Sequence, residues 1–247
     1  MPSGDVRDFF TLHHEAYRES QSHGHGQDLD RLAQELALPT PGQILDVATG
    51  TGHTALRFAA LGHTVTGIDL TEAMLADARD LARERGFEGR TSFLMGDAAD
   101  LPFASGTFDA VTCRRAAHHF ADIPAFLSEA GRVLRAGGRL GVADLTADED
   151  SIDALNELER LRDRSHTAAL SPEAWREAVE QAGFRILYLT ILSEDIPIGA
   201  WLQPVSPESD EGRHALGRIA HGTLPASIVT LPDTFHKHRV ILVAERP

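Results

Sequence analysis

The feature that most constrains the fold of this chain is a regular alternation of short apolar runs with helix-like segments. The first five strand-like runs are 44–47, 64–69, 91–95, 108–113 and 138–143. Helix-like segments occur at 54–60, 71–85, 123–134, 150–164 and 171–183, and two more β-rich stretches come last, at 184–192 and 235–244. Strands that alternate with helices predict parallel βαβ units with right-handed crossovers. The 247 residues therefore suit one α/β domain with a seven-stranded sheet and helices on both faces.

The charge and cysteine content of the chain exclude several classes of partner. The formal net charge is −14, which makes the chain a poor binder of polyanionic nucleic acid and of anionic membrane surfaces. Its single cysteine cannot form an internal disulfide, which fits a reducing compartment. No basic and apolar leader or membrane-length apolar run is present. We expect a cytoplasmic protein with no nucleic-acid or membrane partner.

The turn after the first strand, from Asp46 to Gly52, is the strongest candidate binding element. Its small residues, Ala48, Thr49, Gly50 and Gly52, let the backbone approach a ligand, and the following helix offers free N–H groups to an anion. The turn alone also fits a tight structural turn or a dinucleotide pyrophosphate site. Asp46 favours S-adenosylmethionine (SAM), because its carboxylate attracts an ammonium group and SAM carries both an α-ammonium and an α-carboxylate.

Two further acidic residues end the second and third strands. Asp69 is placed where a βαβ unit holds a ribose, although it could instead cap the helix that begins near Thr71. Asp97 can accept a hydrogen bond from an adenine amino group, with the backbone N–H of Ala98 donating to a ring nitrogen, or it can simply form a turn. Together these positions favour a nucleoside ligand over a purely structural role.

In this order, the motifs resemble those of the class I SAM-dependent methyltransferases. The likeness extends to 108–111 and 132–140, and it is strongest to the branch that contains ubiquinone and menaquinone biosynthesis C-methyltransferases and many small-molecule enzymes. Ala48 stands where that family often has glycine. The resemblance implies a Rossmann-like, mostly parallel sheet of order 3-2-1-4-5-7-6 with the last strand antiparallel. It also implies SAM as cofactor, S-adenosylhomocysteine as product, and a cofactor site that includes Leu70 and the backbone carbonyls of Cys113 and Arg114.

Two segments outside the motif region are candidates to cover the site. Residues 1–38 are expected to form an N-terminal helical lid before a SAM-binding domain at 39–247, with Tyr17 either over the methionine part of SAM or packed as a half-buried residue. Residues 196–232 form a long insertion between the last two strands, and long insertions in compact domains are often functional. Trp201 in this insertion would give the acceptor a flat wall, unless it packs into the core or a dimer interface.

His118 and His119 follow the fourth strand, at the rim where an acceptor would meet the methyl group. A histidine there could remove a proton, since its pKa lies near working pH, although one of the pair could pack beneath the loop and methyl transfer often needs only alignment. No His-Glu-x-x-His helix or cysteine pair occurs, so no built-in metal site is expected. Cys113 fits a small buried residue better than a nucleophile.

The leading hypothesis is an enzyme that moves a methyl group from SAM to a small organic acceptor. The alternatives are a SAM-binding sensor without transfer activity and a nicotinamide-dependent oxidoreductase. Asp46 and the run 96–98 disfavour the oxidoreductase, because neither belongs to the dinucleotide fingerprint. The motifs do not determine the acceptor, because they lie in the cofactor half of the fold. The motifs also do not decide whether the chain forms a homodimer.

Overall fold

The structure, a computed structural model, describes residues 3–19, 24–39 and 41–247, with side chains from residue 6 onward. Its strands are β1 (Gln43–Val47), β2 (Thr64–Asp69), β3 (Thr91–Met95), β4 (Phe108–Arg114), β5 (Leu134–Thr146), β6 (Arg185–Pro197), β7 (Val229–Thr230) and β8 (Thr234–Glu245). Its helices are α1 (Ser3–Arg18), α2 (Gln27–Leu36), α3 (His53–Ala60), α4 (Glu72–Glu84), α5 (Ile123–Val133), α6 (Ile152–Arg162), α7 (Pro172–Gln181), α8 (Ile198–Leu202) and α9 (Asp210–Ala220), with a 3₁₀ turn at Ala117–His119. None of the helices in these ranges is long and apolar enough to cross a membrane.

The described strands form one sheet in the order β3-β2-β1-β4-β5-β8-β6, and the two-residue β7 pairs with β8. β1 runs parallel to its neighbours β2 and β4, whereas β8 runs antiparallel to both β5 and β6. With β7 left out of the count, this is the order 3-2-1-4-5-7-6, so the Rossmann-like fold is confirmed. The strand order reverses between the neighbouring strands β1 and β4, and in such sheets ligands bind outside the carboxyl ends of the strands at this point.

Side chains of the strands alternate between two hydrophobic layers, one on each face of the sheet. Leu45 and Val111 pack with α5 and α7, where Phe126 and Trp175 are fully buried. Ile44, the neighbour of Leu45, packs on the other face with α2 and α3. Successive side chains of a strand point to opposite faces. Full burial of one large apolar side chain contributes about 1.5–3 kcal/mol, so both helical layers are held firmly to the sheet.

α2, which lies before the domain boundary expected at residue 38, packs on the sheet, and the boundary itself stays a prediction. Its Leu32 and Leu36 are fully buried and pack in one cluster with Ile241 and Val243 of β8. Among the described residues before 39, those that reach the cavity described below all lie on α1. The apolar stripe of α2 covers the sheet, so only α1 is placed to act as a lid, and that role stays a prediction. Residues 20–23 of the expected lid lie outside the described residues.

Trp201 packs in a second hydrophobic cluster and does not line the cavity, so the expectation that it forms a wall for the acceptor is wrong. Its ring stacks on Phe235 with centroids 4.9 Å apart, and its Nε1 donates to Glu159 Oε1 at 2.8 Å. β6 and β8 pair as far as Pro197 and Thr234, so the intervening segment folds back as α8 and α9 against α6. No residue of 196–232 lines the cavity. That this segment covers the acceptor stays a prediction, and the residues that line the cavity do not support it.

Candidate active site

The turn after β1 takes the left-handed backbone conformation at three positions. The φ angles are 53° at Ala48, 53° at Gly50 and 84° at Gly52. A Cβ on Gly52 would lie 3.0 Å from the Cβ of Ala78, so this glycine is required both by its φ and by the close approach of α4. A Cβ on Gly50 would meet nothing within 4 Å, because this part of the turn faces open space. Ala48 holds a conformation that costs a non-glycine residue about 1–3 kcal/mol, and such strain concentrates at functional sites.

Asp69, at the end of β2, ties this turn to the neighbouring strand. Its Oδ2 accepts the backbone N–H of Gly50 and its Oδ1 accepts that of Thr71, both at 2.9 Å. Burial raises the pKa of the Asp69 carboxyl. The side chain also lines the cavity, so its remaining acceptor capacity faces a ligand. Thr71 is the N-cap residue of α4, and Asp69 supports that helix start by accepting the Thr71 backbone N–H.

Asp46 lies beneath the turn and is absent from the cavity walls. Its two oxygens accept the hydroxyl of Thr49 at 2.6 Å and the hydroxyl of Thr112 at 2.7 Å. Burial raises the pKa of Asp46 to about 6, against the effect of these two hydrogen bonds. Asp46 therefore joins the turn to β4. That Asp46 attracts an ammonium group of the ligand from below the turn stays a prediction.

A cavity of about 330 Å³ opens at the carboxyl edge of the sheet, a volume near the lower end of the usual range for ligand sites. Most of the predicted cofactor residues line it: Tyr17, Ala48, Thr49, Gly50, Asp69, Leu70, Asp97, Ala98 and Arg114. Asp46, Gly52 and Cys113 lie behind these walls, as does His118, while His119 lines the cavity. The sequence motifs of β1 to β4 thus converge on one cavity, as the switch-point rule predicts.

The loop after β3 supplies another part of the cavity wall. Asp97 lines the cavity, and its Oδ1 also accepts the backbone N–H of Ala99 at 2.9 Å. The turn-forming alternative for Asp97 is therefore correct, and it is compatible with a ligand, because a carboxylate has about four acceptor positions. Asp97 and Ala98 remain candidates for the adenine contact.

Helix α1 forms the outer wall of the cavity. Val6, Phe10 and Tyr17 line the cavity from this helix. On its other side, His14 Nδ1 lies 2.7 Å from Asp77 Oδ2 and Arg18 Nη1 lies 3.2 Å from Asp77 Oδ1, which fixes α1 to α4. Burial raises the pKa of the Tyr17 phenol, so it is protonated at neutral pH. The contacts of His14 and Arg18 with Asp77 thus hold the helix beside the cavity.

Arg114 and Arg115 at the end of β4 share one buried carboxylate, a feature that sequence reasoning missed. Asp28 Oδ2 accepts from the Nε atoms of both arginines at 2.8 Å, and both residues line the cavity. Burial alone would raise the pKa of Asp28, but the two guanidiniums hold it well below its usual range. Arg115 has a φ of 55°, again in the left-handed region. An Arg-Arg pair directly after a strand was the only signal available in the sequence.

The two histidines occupy opposite electrostatic environments. His118 Nδ1 lies 2.6 Å from Asp144 Oδ1, and this carboxylate raises the pKa of His118 despite burial. His119 Nδ1 lies 3.1 Å from the carbonyl oxygen of Ser165. Because a carbonyl only accepts, neutral His119 carries its proton on Nδ1 and leaves Nε2 as an acceptor. Burial and the neighbouring His118, whose ring centroid is 4.1 Å away, lower the pKa of His119 to about 4.

The segment after α6 supports His119, and it carried no recognisable signal in the sequence. Ser165 Oγ lies 3.0 Å from His119 Nδ1 and donates to Asp163 Oδ1 at 2.6 Å. His166, the third ring of this group, is held by Asn156 Oδ1 at 2.7 Å. Within the ranges that the structure describes, no three histidine, cysteine, aspartate or glutamate side chains are grouped so as to hold a metal ion.

Cys113 is buried, and burial raises the pKa of its thiol well above its usual range. The thiolate, which is the nucleophilic form, is therefore not populated at neutral pH. Its neighbour His118 lies behind the cavity wall, whereas His119 faces the cavity. Of the two histidines predicted to act on the acceptor, only His119 therefore reaches the cavity.

Comparison with known proteins gives the family. A model of the methyltransferase domain matches residues 45–142. The methyltransferase YcgJ of Bacillus subtilis (strain 168), itself uncharacterized, is 33% identical over 218 residues, which cover 87% of this chain and 85% of the relative. Its crystal structure superposes with a TM-score of 0.84 at 28% identity, covering 90% of this chain and 99% of that one. A demethylmenaquinone methyltransferase of Thermus thermophilus is 49% identical over 117 residues, 46% of this chain and 52% of the relative.

These matches span the same strands and turns that build the cavity. The family model covers the stretch from β1 to β5, which contains the glycine turn, Asp69, Asp97 and both histidines. The cavity fits the family cofactor, because the open space at Gly50 lies beside the carboxylate of Asp69. The chain therefore belongs to the class I SAM-dependent methyltransferases.

Proposed function

We propose that this methyltransferase moves a methyl group to a small organic acceptor by in-line displacement, with His119 as the base. Membership of the family contradicts the nicotinamide-dependent alternative. When bound, SAM supplies an electrophilic methyl group on a sulfonium. Water must be kept from that group and the acceptor must be aligned behind it, which a cavity closed by α1 would favour.

The proposed cofactor site comprises the residues singled out in the sequence. The turn after β1 would receive the methionine part, Asp69 and Leu70 the ribose, and Asp97 and Ala98 the adenine. Tyr17 and the carbonyls of Cys113 and Arg114 complete the proposed set, with Asp46 and Gly52 supporting the turn from behind. Support comes from the shared cavity: nine of these twelve residues line it.

The observation that carries the role of His119 is the bonding of its ring. Nδ1 faces the Ser165 carbonyl at 3.1 Å, and no side chain or backbone group among the described residues bonds to Nε2. His119 lines the cavity, so this acceptor nitrogen is available to a hydroxyl of the acceptor. His118 lies beside it, and the Asp144 carboxylate raises the pKa of His118. Pairs whose environments push their pKa values apart are typical of acid–base sites.

The test is His119→Ala, with His214→Ala on the exposed face of α9 as the matched control. Turnover with the acceptor should fall about 10²–10⁴-fold in the first variant and stay unchanged in the control. Affinity for S-adenosylhomocysteine, measured by calorimetry, should change little in either. Titration of His119 should leave the wild-type rate constant above about pH 5. The rate should fall near pH 4, where His119 becomes protonated and can no longer accept a proton.

Full turnover in His119→Ala would show that His119 is not the base, and alignment of the acceptor would then be the main contribution to catalysis. Absence of labelled methyl transfer to a broad metabolite panel by the wild-type protein, despite tight SAM binding, would instead support the catalytically silent alternative. The two outcomes are distinct, because the first needs an active variant and the second an inactive wild type.

A further inference from the structure

We propose that Asp163 and Ser165 are positioning residues for methyl transfer: the Asp163 carboxylate orients the Ser165 hydroxyl as an acceptor for His119 Nδ1–H, which leaves Nε2 as the acceptor of the ring. This inference rests on the proposed function, because it concerns the proton on the proposed base. The observation behind it is a buried chain of hydrogen bonds that runs from a carboxylate, through a hydroxyl, to the imidazole.

Ser165 presents two oxygens to Nδ1 of His119. Its carbonyl oxygen lies at 3.1 Å and can only accept, whereas its hydroxyl oxygen lies at 3.0 Å and can accept or donate. A hydroxyl that donated to Nδ1 would favour the neutral ring with its proton on Nε2. The proposed base would then carry a donor where it needs an acceptor, so the tautomer depends on the direction of the single hydroxyl proton.

Asp163 determines that direction. Its Oδ1 accepts both the Ser165 hydroxyl at 2.6 Å and the Ser165 backbone N–H at 2.8 Å. An ionised carboxylate accepts and does not donate, so the hydroxyl proton points to Asp163 and the lone pairs of the hydroxyl oxygen are left for Nδ1–H. Hydrogen bonds to an ionised acceptor are about twice as strong as neutral ones, which keeps the hydroxyl from turning.

The position of Asp163 is not explained by the stability of α6. Asp163 is the C-cap residue of this helix, where the negative end of the helix dipole disfavours a carboxylate. It is only 3% exposed, and Ser165 is fully buried. Burying a carboxylate is costly unless it is well bonded, and both hydrogen bonds that Asp163 Oδ1 accepts come from Ser165. The carboxylate therefore acts on Ser165 rather than on the helix.

The loop between α6 and α7 also fixes the backbone of the two histidines. The N–H groups of Thr167 and Ala168 donate to the carbonyl oxygen of His118 at 2.9 and 3.0 Å, and Thr167 Oγ1 donates to that of His119 at 3.2 Å. Loops are seldom buried, because their backbone polar groups then need partners. Here the histidines are the partners, so the loop holds the hydroxyl of Ser165 beside the ring of His119.

The charge of Asp163 acts in the same sense as its hydrogen bonds. Burial and His118 lower the pKa of His119 to about 4, whereas the Asp163 carboxylate opposes this effect. Removal of the carboxylate should therefore weaken the base in two ways, by releasing the Ser165 hydroxyl and by lowering the basicity of the ring.

The test measures the tautomer of His119 by ¹⁵N NMR of the purified, histidine-labelled protein at neutral pH, so it does not depend on turnover. His119→Gln lacks one of the 13 histidines, and its spectrum assigns the His119 signals. We expect the proton on Nδ1 in the wild type. Asp163→Ala should move the ratio of the two neutral forms toward Nε2–H by about 2- to 10-fold, the effect of one neutral hydrogen bond. Asp163→Asn keeps an acceptor oxygen and should cause a smaller shift.

Adding Ser165→Ala to Asp163→Ala separates this role from a merely structural one. The double variant lacks the hydroxyl that could donate to Nδ1 and keeps the backbone carbonyl that accepts from it. The His119 ring should therefore return toward the Nδ1–H form, although a second side chain has been lost. Ser193→Ala, which removes a hydroxyl 2.7 Å from His238 Nδ1, is the matched control and should leave the His119 signals unchanged.

An unchanged tautomer in Asp163→Ala, or a double variant that lies farther from the wild type than the single one, would overturn the inference and leave the proposed function intact. If Asp163→Ala fails to fold, Asp163→Asn provides the measurement, and Ser165→Ala should reverse its smaller shift in the same way. The expected tautomer shifts together with full turnover in His119→Ala would confirm the positioning of the ring and refute its role as the base.

Discussion

Asp69→Ala is the substitution whose effect can be worked out most directly from the structure. The carboxylate accepts two backbone N–H groups, those of Gly50 and Thr71, both at 2.9 Å. Hydrogen bonds to a charged acceptor contribute about 1.5–3 kcal/mol each, and water can replace part of that at the cavity edge. We therefore expect the free energy of unfolding to fall by about 2–4 kcal/mol, which lowers Tm by roughly 5–15 °C in a domain of this size.

The same change should weaken cofactor binding. If Asp69 also accepts the ribose hydroxyls, SAM affinity should fall by about 1.5–3 kcal/mol, or roughly 10- to 100-fold. Calorimetric titration with SAM and urea unfolding of the same samples separate the two effects. Glu88→Ala, which removes an exposed acid in the loop before β3, is the control and should change neither quantity.

Two results would refute this reasoning at different points. Reduced stability with unchanged SAM affinity would mean that Asp69 only ties the turn to β2 and does not reach the ribose. Unchanged stability would mean that the Gly50 and Thr71 N–H groups do not depend on this carboxylate, against the distances in the structure.

Two further predictions concern the second core and the cavity wall. Trp201→Ala should lower the free energy of unfolding by about 3–5 kcal/mol, since Glu159 loses its indole donor and Phe235 its stacked ring, while acceptor KM stays unchanged in steady-state assays. A raised KM without loss of stability would restore Trp201 to the site. Asp77→Asn should speed release of S-adenosylhomocysteine several-fold in stopped-flow measurements, because it removes the ion pair with Arg18, worth about 1 kcal/mol, and weakens the contact with His14. An unchanged release rate would show that α1 does not gate the cavity.

The strand pattern and the local turns were predictable because they depend on neighbours in the sequence. The alternation of apolar runs with helices gave all seven principal strands, since side-chain periodicity is a local property. The turn from Ala48 to Gly52 was recognisable because left-handed backbone favours small residues. The positions of Asp69 and Asp97 at one cavity were predictable as well, because residues at the carboxyl ends of parallel strands meet at one edge of the sheet.

The different pKa values and partners of His118 and His119 could not be predicted from the sequence in the same way. The two are adjacent in sequence, yet Asp144, 26 positions from His118, raises the pKa of His118, whereas burial and His118 itself lower the pKa of His119. The hydrogen bond to Ser165, 46 positions from His119, fixes which ring nitrogen of His119 carries the proton. Asp28 and Arg115, 87 positions apart, form their ion pair only because α2 packs on the sheet beside the end of β4. pKa values and tautomers depend on burial and on partners that long-range packing brings together.

The sequence by itself therefore determined the sheet, the cofactor turn and the acidic residues around the nucleoside end of the cavity, because each is encoded within one strand–turn–helix unit. Only the tertiary structure decided that Trp201 stacks in a second core, that α2 covers the sheet, and that His119 lines the cavity while Asp144 holds His118 behind its wall. These features arise where segments far apart in the chain meet, and no local pattern specifies which side chains will face each other there.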